Sequence, residues 1–121
     1  MGGIVEKKRM SKIPPHPGPD QIELSSIFEA VSDPIRRKIL LKLSELGEAN
    51  CSTFLIYAPK TNISYHISKL REAGITHTRL EGTQKFLTIR SEDLERKFPG
   101  LLDTILRSAR LEEESEAPHT P

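Results

Sequence analysis

The chain has 121 residues, 36% hydrophobic and 29% charged, with a net charge of +1, which fits one small domain with a modest core. No apolar run approaches the roughly 18 residues needed to span a membrane, and the charged start MGGIVEKKRM leads into no secretory core, so a cytoplasmic protein is expected. A single cysteine, Cys51, excludes an intrachain disulfide and a multi-thiolate metal cage.

Residues 1–20 carry four of the nine prolines and little periodicity, so they read as a flexible arm. Leu24, Ile27, Phe28 and Val31 then mark a short amphipathic helix. It stops near SDP, where Asp33 can cap and Pro34 can open the next helix, DPIRRKILLKLSEL. Ile35, Ile39, Leu40, Leu43 and Leu46 form that helix's apolar face, and Gly47 ends it. CSTFLIYAP is short and apolar, compatible with a brief helix or a strand.

TNISYHISKLREAG places Ile63, Ile67 and Leu70 on one helix face and stops at Gly74. ITHTRL and QKFLTIR, separated by Glu81-Gly82-Thr83, read as a β-hairpin with glycine supplying the turn. Ser91 opens a last helical stretch with Leu94, Phe98, Leu101, Leu102, Ile105 and Leu106 on its apolar side, which Pro99-Gly100 should kink or split. The acidic segment 112–121 reads as a disordered tail, leaving 21–111 as the folded domain. The order helix, helix, short helix, helix, hairpin, helix is that of a mainly α winged helix-turn-helix fold.

The polar side of the fourth helical element has an unusual composition. Thr61, Tyr65, Ser68, Lys69 and Glu72 lie opposite the apolar stripe, with Asn62, Ser64 and His66 on its flanks. Thr, Asn, Ser, Tyr and His each cost a few tenths of a kcal/mol in a helix, so propensity did not select them. In a major groove they have uses: Asn pairs with adenine, Lys donates to guanine or phosphate, and hydroxyls hold phosphates. Charge supports this, because residues 60–90 hold six basic and two acidic side chains, a net +4, whereas residues 91–121 have a net −4.

AVSDPIRRKILLKL and ISYHISKLREAGI resemble the second helix and the recognition helix of ArsR/SmtB-type repressors, and RLEGTQKFLTIRSEDLERKFPGLLDTIL is similar to the wing and tail of one subgroup. The resemblance covers roughly residues 24–106. It implies a homodimeric regulator of double-stranded DNA, with contacts from the fourth helix and the wing. The expected DNA-binding set is Lys60, Thr61, Asn62, Ser64, Tyr65, His66 and Lys69, with Arg79 and Lys85 as wing cations. The expected dimer interface joins Leu24, Ile27 and Phe28 of the first helix to Leu101, Leu102, Ile105 and Leu106 of the last. The Cys-x-Cys pair of metal-sensing members is absent, and Pro59 stands where a capping Ser is common.

No metal or cofactor is expected: Cys51 reads as a small hydrophobe, and neither C-x-x-C nor H-x-x-x-H spacing occurs. No phosphate-binding glycine loop or nucleophile elbow supports an enzyme. The competing reading is a winged-helix protein-interaction module. The sequence specifies neither an operator nor an inducer.

Overall fold

The computed structural model describes residues 14–116. Helix α1 spans Leu24–Ala30 and α2 Pro34–Leu46; strand β1 is Glu48–Asn50 and a 3-10 helix covers Cys51–Ile56. Helix α3 is Lys60–Glu72, the hairpin pairs β2 (Thr76–Glu81) with β3 (Gln84–Ile89), and α4 (Ser91–Lys97) and α5 (Leu101–Glu116) complete the chain. Strand β3 lies between β1 and β2, both antiparallel to it. This is the expected mainly helical winged helix-turn-helix architecture. The ambiguous apolar segment is a 3-10 helix, and β1 was not anticipated because three residues are too few for alternation to register.

The helix boundaries follow from capping chemistry. Asp33 Oδ1 accepts from the backbone N–H groups of Ile35 (2.8 Å) and Arg36 (3.1 Å), and Pro34 occupies the first turn, where its missing N–H costs nothing. Arg36 and Arg37 reach back to the carbonyls of Ala30 (2.7 Å) and Val31 (2.8 Å) at the open end of α1. These two arginines therefore close a helix–helix corner. The hairpin turn is Gly82-Thr83, with Glu81 opposite Gln84 and Gly82 at φ 64°, the sign that a glycine-first two-residue turn requires.

One continuous core joins Ile27, Ile39, Leu40, Leu43, Phe54, Ile63, Leu70, Ile75, Leu87 and Leu94. Leu41, outside the expected α2 face, is buried, while Leu46, inside it, is exposed. The reason is tertiary: α5 lies along α2 and brings Ala109 beside Leu41, and Arg37 pairs with Glu112 at 2.9 Å. Residues 112–116 are consequently part of α5 and not of a disordered tail; residues 117–121 fall outside the described residues. The chain divides into α4 and α5 at Pro99-Gly100, as the proline required.

The arm expectation also needs correction over residues 14–20. Arg71 Nε donates to Pro15 O (3.3 Å), Thr78 N–H to His16 Nε2 (2.9 Å), and Arg90 Nη1 to Pro17 O (2.8 Å). The His16 ring stacks on His77 with centroids 4.4 Å apart. The segment is a strap that covers the outer edge of β2, and β2 is an edge strand whose unpaired N–H groups need partners. Residues 1–13 of the expected arm lie outside the described residues.

Burial holds the His16 imidazole below its ordinary value of 6.5, and His77, Arg71 and Arg90, with Asp93 paired to the last, add net positive surroundings that push the same way. The strap thus prefers neutral His16, since a protonated ring cannot accept from Thr78. Its docking should be complete above about pH 6.5 and weaken as pH falls below it. Amide exchange at Thr78, corrected for intrinsic rates, should keep its protection from pH 7.5 to about 6.5 and lose it progressively as pH falls further. A pH-independent protection factor would show that His16 does not hold the strap.

Candidate nucleic-acid interface

Helix α3 follows the 3-10 helix and Pro59 directly, and its start at Lys60 carries no side-chain cap. Ile63, Ile67 and Leu70 are buried in the core, which fixes the rotation of the helix about its axis. Toward the hairpin it presents Lys60, Ser64, Ser68 and Arg71, a row at i, i+4, i+8 and i+11. Alternation along β3 puts Lys85 on the same sheet face as buried Leu87, so Lys85 turns toward α3 at the exposed end of the strand.

Between them lies a cleft of about 550 Å³, also lined by Asn50, Ser52, Thr83 and Gln84. The Asn50 side chain links these parts, accepting from Ser52 N–H (2.9 Å) and donating to Gln84 Oε1 (3.0 Å). Lys60, Arg71 and Lys85 line the cleft, and no carboxylate of the described residues does. None of the three forms an ion pair with a described carboxylate, although Arg37, Lys42, Lys69, Arg79, Arg90 and Arg107 all do. Cations of one sign beside the apolar walls of Leu55, Ile63 and Ile67 focus positive potential into the cleft.

Arg79 is not among them. Alternation along β2 places it on the opposite sheet face, where it meets Glu48 (3.0 Å) and Glu81 (2.6 Å) and lies 4.7 Å over the Phe86 ring. Hydrogen bonds that it donates to Glu48 and then Glu81 raise its already high pKa. Its charge is paired within the domain, so the expected wing cation Arg79 stands outside the cleft that Lys85 lines. His66 also departs from expectation. Its side chain is 12% exposed and turns inward, with Nδ1 3.9 Å from Asp33 Oδ1 and no hydrogen-bond partner among the described residues. It packs edge-on against Tyr65 and backs that ring.

Lys60, Thr61, Asn62 and Ser64 are exposed over the first turns of α3. Tyr65 is 57% exposed although it is large and partly apolar. Lys69 Nζ sits 5.5 Å from the Tyr65 ring centroid and 4.0 Å from Glu72 Oε1, so the pair forms one ordered surface feature.

No family model matches the chain. Over 95 residues, 71% of this chain and 88% of the relative, it is 36% identical to YceK of Bacillus subtilis (strain 168), an uncharacterized HTH-type transcriptional regulator. It is 37% identical over 67 residues, 54% of this chain and 75% of the relative, to MJ1325 of Methanocaldococcus jannaschii, described in the same words. The fold matches the crystal structure of an ArsR family transcriptional regulator with a TM-score of 0.54 and 26% identity, over 87% of this chain and 100% of that one. The chain belongs to the ArsR family. In a winged helix-turn-helix fold α3 takes the position of the recognition helix and the β2–β3 hairpin that of the wing, and the matched relatives are regulators by name.

This ArsR-family chain lacks a Cys-rich metal motif, having Cys51 alone. Among the described residues no cluster of His, Cys, Asp and Glu could hold a metal ion, and no helix is long and apolar enough to cross a membrane. The apolar cavity lined by Ile27, Leu40, Leu94, Phe98, Leu102 and Ile105 measures about 10 Å³, room for a single water at most. Arg71, Asn50 and Gln84 are cleft residues that the sequence reading missed. Arg71 sits close to the apolar stripe on a helical wheel, and only its long side chain, reaching past that edge, brings its charge into the cleft.

Cys51 is half-buried against the core, and burial pushes its thiol pKa up, with Lys85 opposing in part. Little thiolate is therefore present at neutral pH. Alkylation by iodoacetamide at pH 7.5 should run slower than for a free cysteine and accelerate only at higher pH, as followed by mass spectrometry. Faster reaction than the free amino acid would show an activated thiol instead.

Proposed function

We propose that this ArsR-family chain acts as a dimer that binds an inverted-repeat operator in double-stranded DNA and represses transcription. The observation that carries the reading is the cleft between recognition helix and wing, lined by three cations and, among the described residues, by no carboxylate. A sugar–phosphate backbone supplies the missing negative charge, and Ser52, Ser64 and Ser68 offer hydroxyl donors to its oxygens. With the backbone seated there, the first turns of the recognition helix enter the major groove. Lys60, Thr61, Asn62 and Ser64 then lie nearest the groove edge, with Tyr65 and Lys69 facing the bases.

Selection of bound fragments from random DNA, followed by titration at several salt concentrations, tests the reading. Tyr65→Ala and Lys69→Ala should each cost about 1–3 kcal/mol per half-site on the selected sequence and far less on random duplex. Lys60→Ala and Lys85→Ala should weaken both duplexes alike and flatten the salt dependence, whereas Arg79→Ala should leave the salt slope unchanged. Wild-type protein that binds neither duplex would favour the protein-interaction module.

The dimer rests on a second observation. Leu24 and Phe28 on α1 are 44% and 52% exposed, and Leu101, Leu102, Ile105 and Leu106 of α5 are only partly covered by their own chain. Ile27, expected beside them, is fully buried inside the domain and drops out of the interface. Light scattering at micromolar concentration should give a dimer mass. The double variant Leu102→Asp, Ile105→Asp should give a monomer mass, because it would bury unpaired charge. A wild-type monomer would reject the dimer.

A further inference from the structure

The cleft's cations are not anchored alike. Lys60 and Lys85 stand at an exposed helix start and near a hairpin tip, each on a flexible stem. Arg71 sits at the far, closed end of α3 and is half-buried, and its Nε is committed to Pro15 O of the strap at 3.3 Å. The same strap is fixed to wing strand β2 through Thr78 N–H and His16 Nε2, and to the end of β3 through Arg90 and Pro17 O. One five-residue segment, Pro14–Gly18, therefore touches the recognition helix, β2 and the end of β3.

A guanidinium has five N–H donors in a rigid plane. Fixing Nε sets the plane of the rest without using their charge, and no described carboxylate competes for them. This is the converse of Arg79, whose Nε, Nη1 and Nη2 all serve carboxylates. An arginine braced through one nitrogen at the wall of a cationic cleft presents a forked donor, the shape that suits two oxygens of one phosphate.

Resting on the DNA-binding reading above, we propose that Arg71 is a backbone-phosphate contact and that the Pro14–Gly18 strap is its positioning element, making the N-terminal segment part of the DNA-binding unit. Arg71 anchors the inner end of the cleft, while Lys60 and Lys85 hold its mouth. The strap orients the guanidinium, so that a single phosphate run meets it together with Lys60 and Lys85.

The test uses the full-length chain with the selected operator and a random duplex. Arg71→Ala should lower affinity for both by about tenfold and reduce the salt slope by about one per bound protomer. His16→Ala, which removes the strap's grip on β2 while leaving Arg71 in place, should produce part of that loss, and His16→Gln, which restores an acceptor, should recover it. The double variant Arg71→Ala, His16→Ala should bind no more weakly than Arg71→Ala, because the strap acts through Arg71. Thermal unfolding of each variant separates a binding defect from a folding one, and Arg71→Lys, which keeps the charge but not the fork, should lie between wild type and alanine. Wild-type affinity and salt slope in a normally folded Arg71→Ala would overturn the phosphate contact while leaving the DNA-binding reading intact. Losses that multiply in the double variant would overturn the positioning role. Absence of any wild-type binding would overturn the reading and the proposal together.

Discussion

Ile22 packs against Gly74 at a distance that no other residue would allow. A β-carbon at Gly74 would lie 2.6 Å from Ile22 Cγ1, and the glycine's φ of 85° is one that side-chain-bearing residues avoid. This contact sits where the recognition helix stops and the wing begins. The helix closes with Ile75 N–H donating to Leu70 O across the glycine, and the chain leaves at once into β2. Ile22, fully buried, holds the N-terminal segment down at the same point, so strap, helix end and wing strand share one anchor. A side chain at Gly74 would force these three elements apart.

The cleft's electrostatics are organised by sheet face. Side chains on the outer face of the hairpin form a compensated set in which Glu48, Arg79, Glu81 and the Phe86 ring satisfy one another. The inner face carries Lys85 and no acid, and it turns toward a helix row that has two cations and no acid. Packing like charges together costs free energy in the unbound protein, and exposure to solvent limits that cost without removing it. Such an arrangement is understandable if an external anion offsets it, whereas a surface with no partner gains nothing by segregating its charge.

Family membership and the physical reading come from independent observations and meet at the same elements. The relatives and the solved structure place the chain among ArsR-type regulators. Burial, hydrogen bonds and ion pairs separately select the recognition helix and the wing's inner face as a cleft lined by three cations that pair with no described carboxylate. They also separate helical residues that share a polar wheel position: His66 backs Tyr65 from inside, and Arg36 and Arg37 close the α1–α2 corner.

Local chemistry by itself determined the order of the helices and the hairpin, the caps at Asp33 and Gly47, the two-residue hairpin turn, the break at Pro99-Gly100 and the apolar stripe of the recognition helix. Each depends on residues within a turn or two of one another, and side-chain periods of 3.6 and 2 report them directly. Tertiary structure alone decided matters that depend on residues far apart in the chain. Arg79 and Lys85, both cations of one hairpin, separate to opposite faces because strand parity combines with the position of Glu48 on β1, a strand too short to read from sequence. Leu41 displaces Leu46 from the core because α5 returns along α2, and Ile27 faces inward while Leu24 and Phe28 do not. The proline-rich segment before residue 20, featureless by periodicity, is ordered by donors from Arg71, Thr78 and Arg90, more than fifty positions away. Periodicity records which face of an element is apolar; it carries no information about which distant backbone carbonyl an arginine will reach.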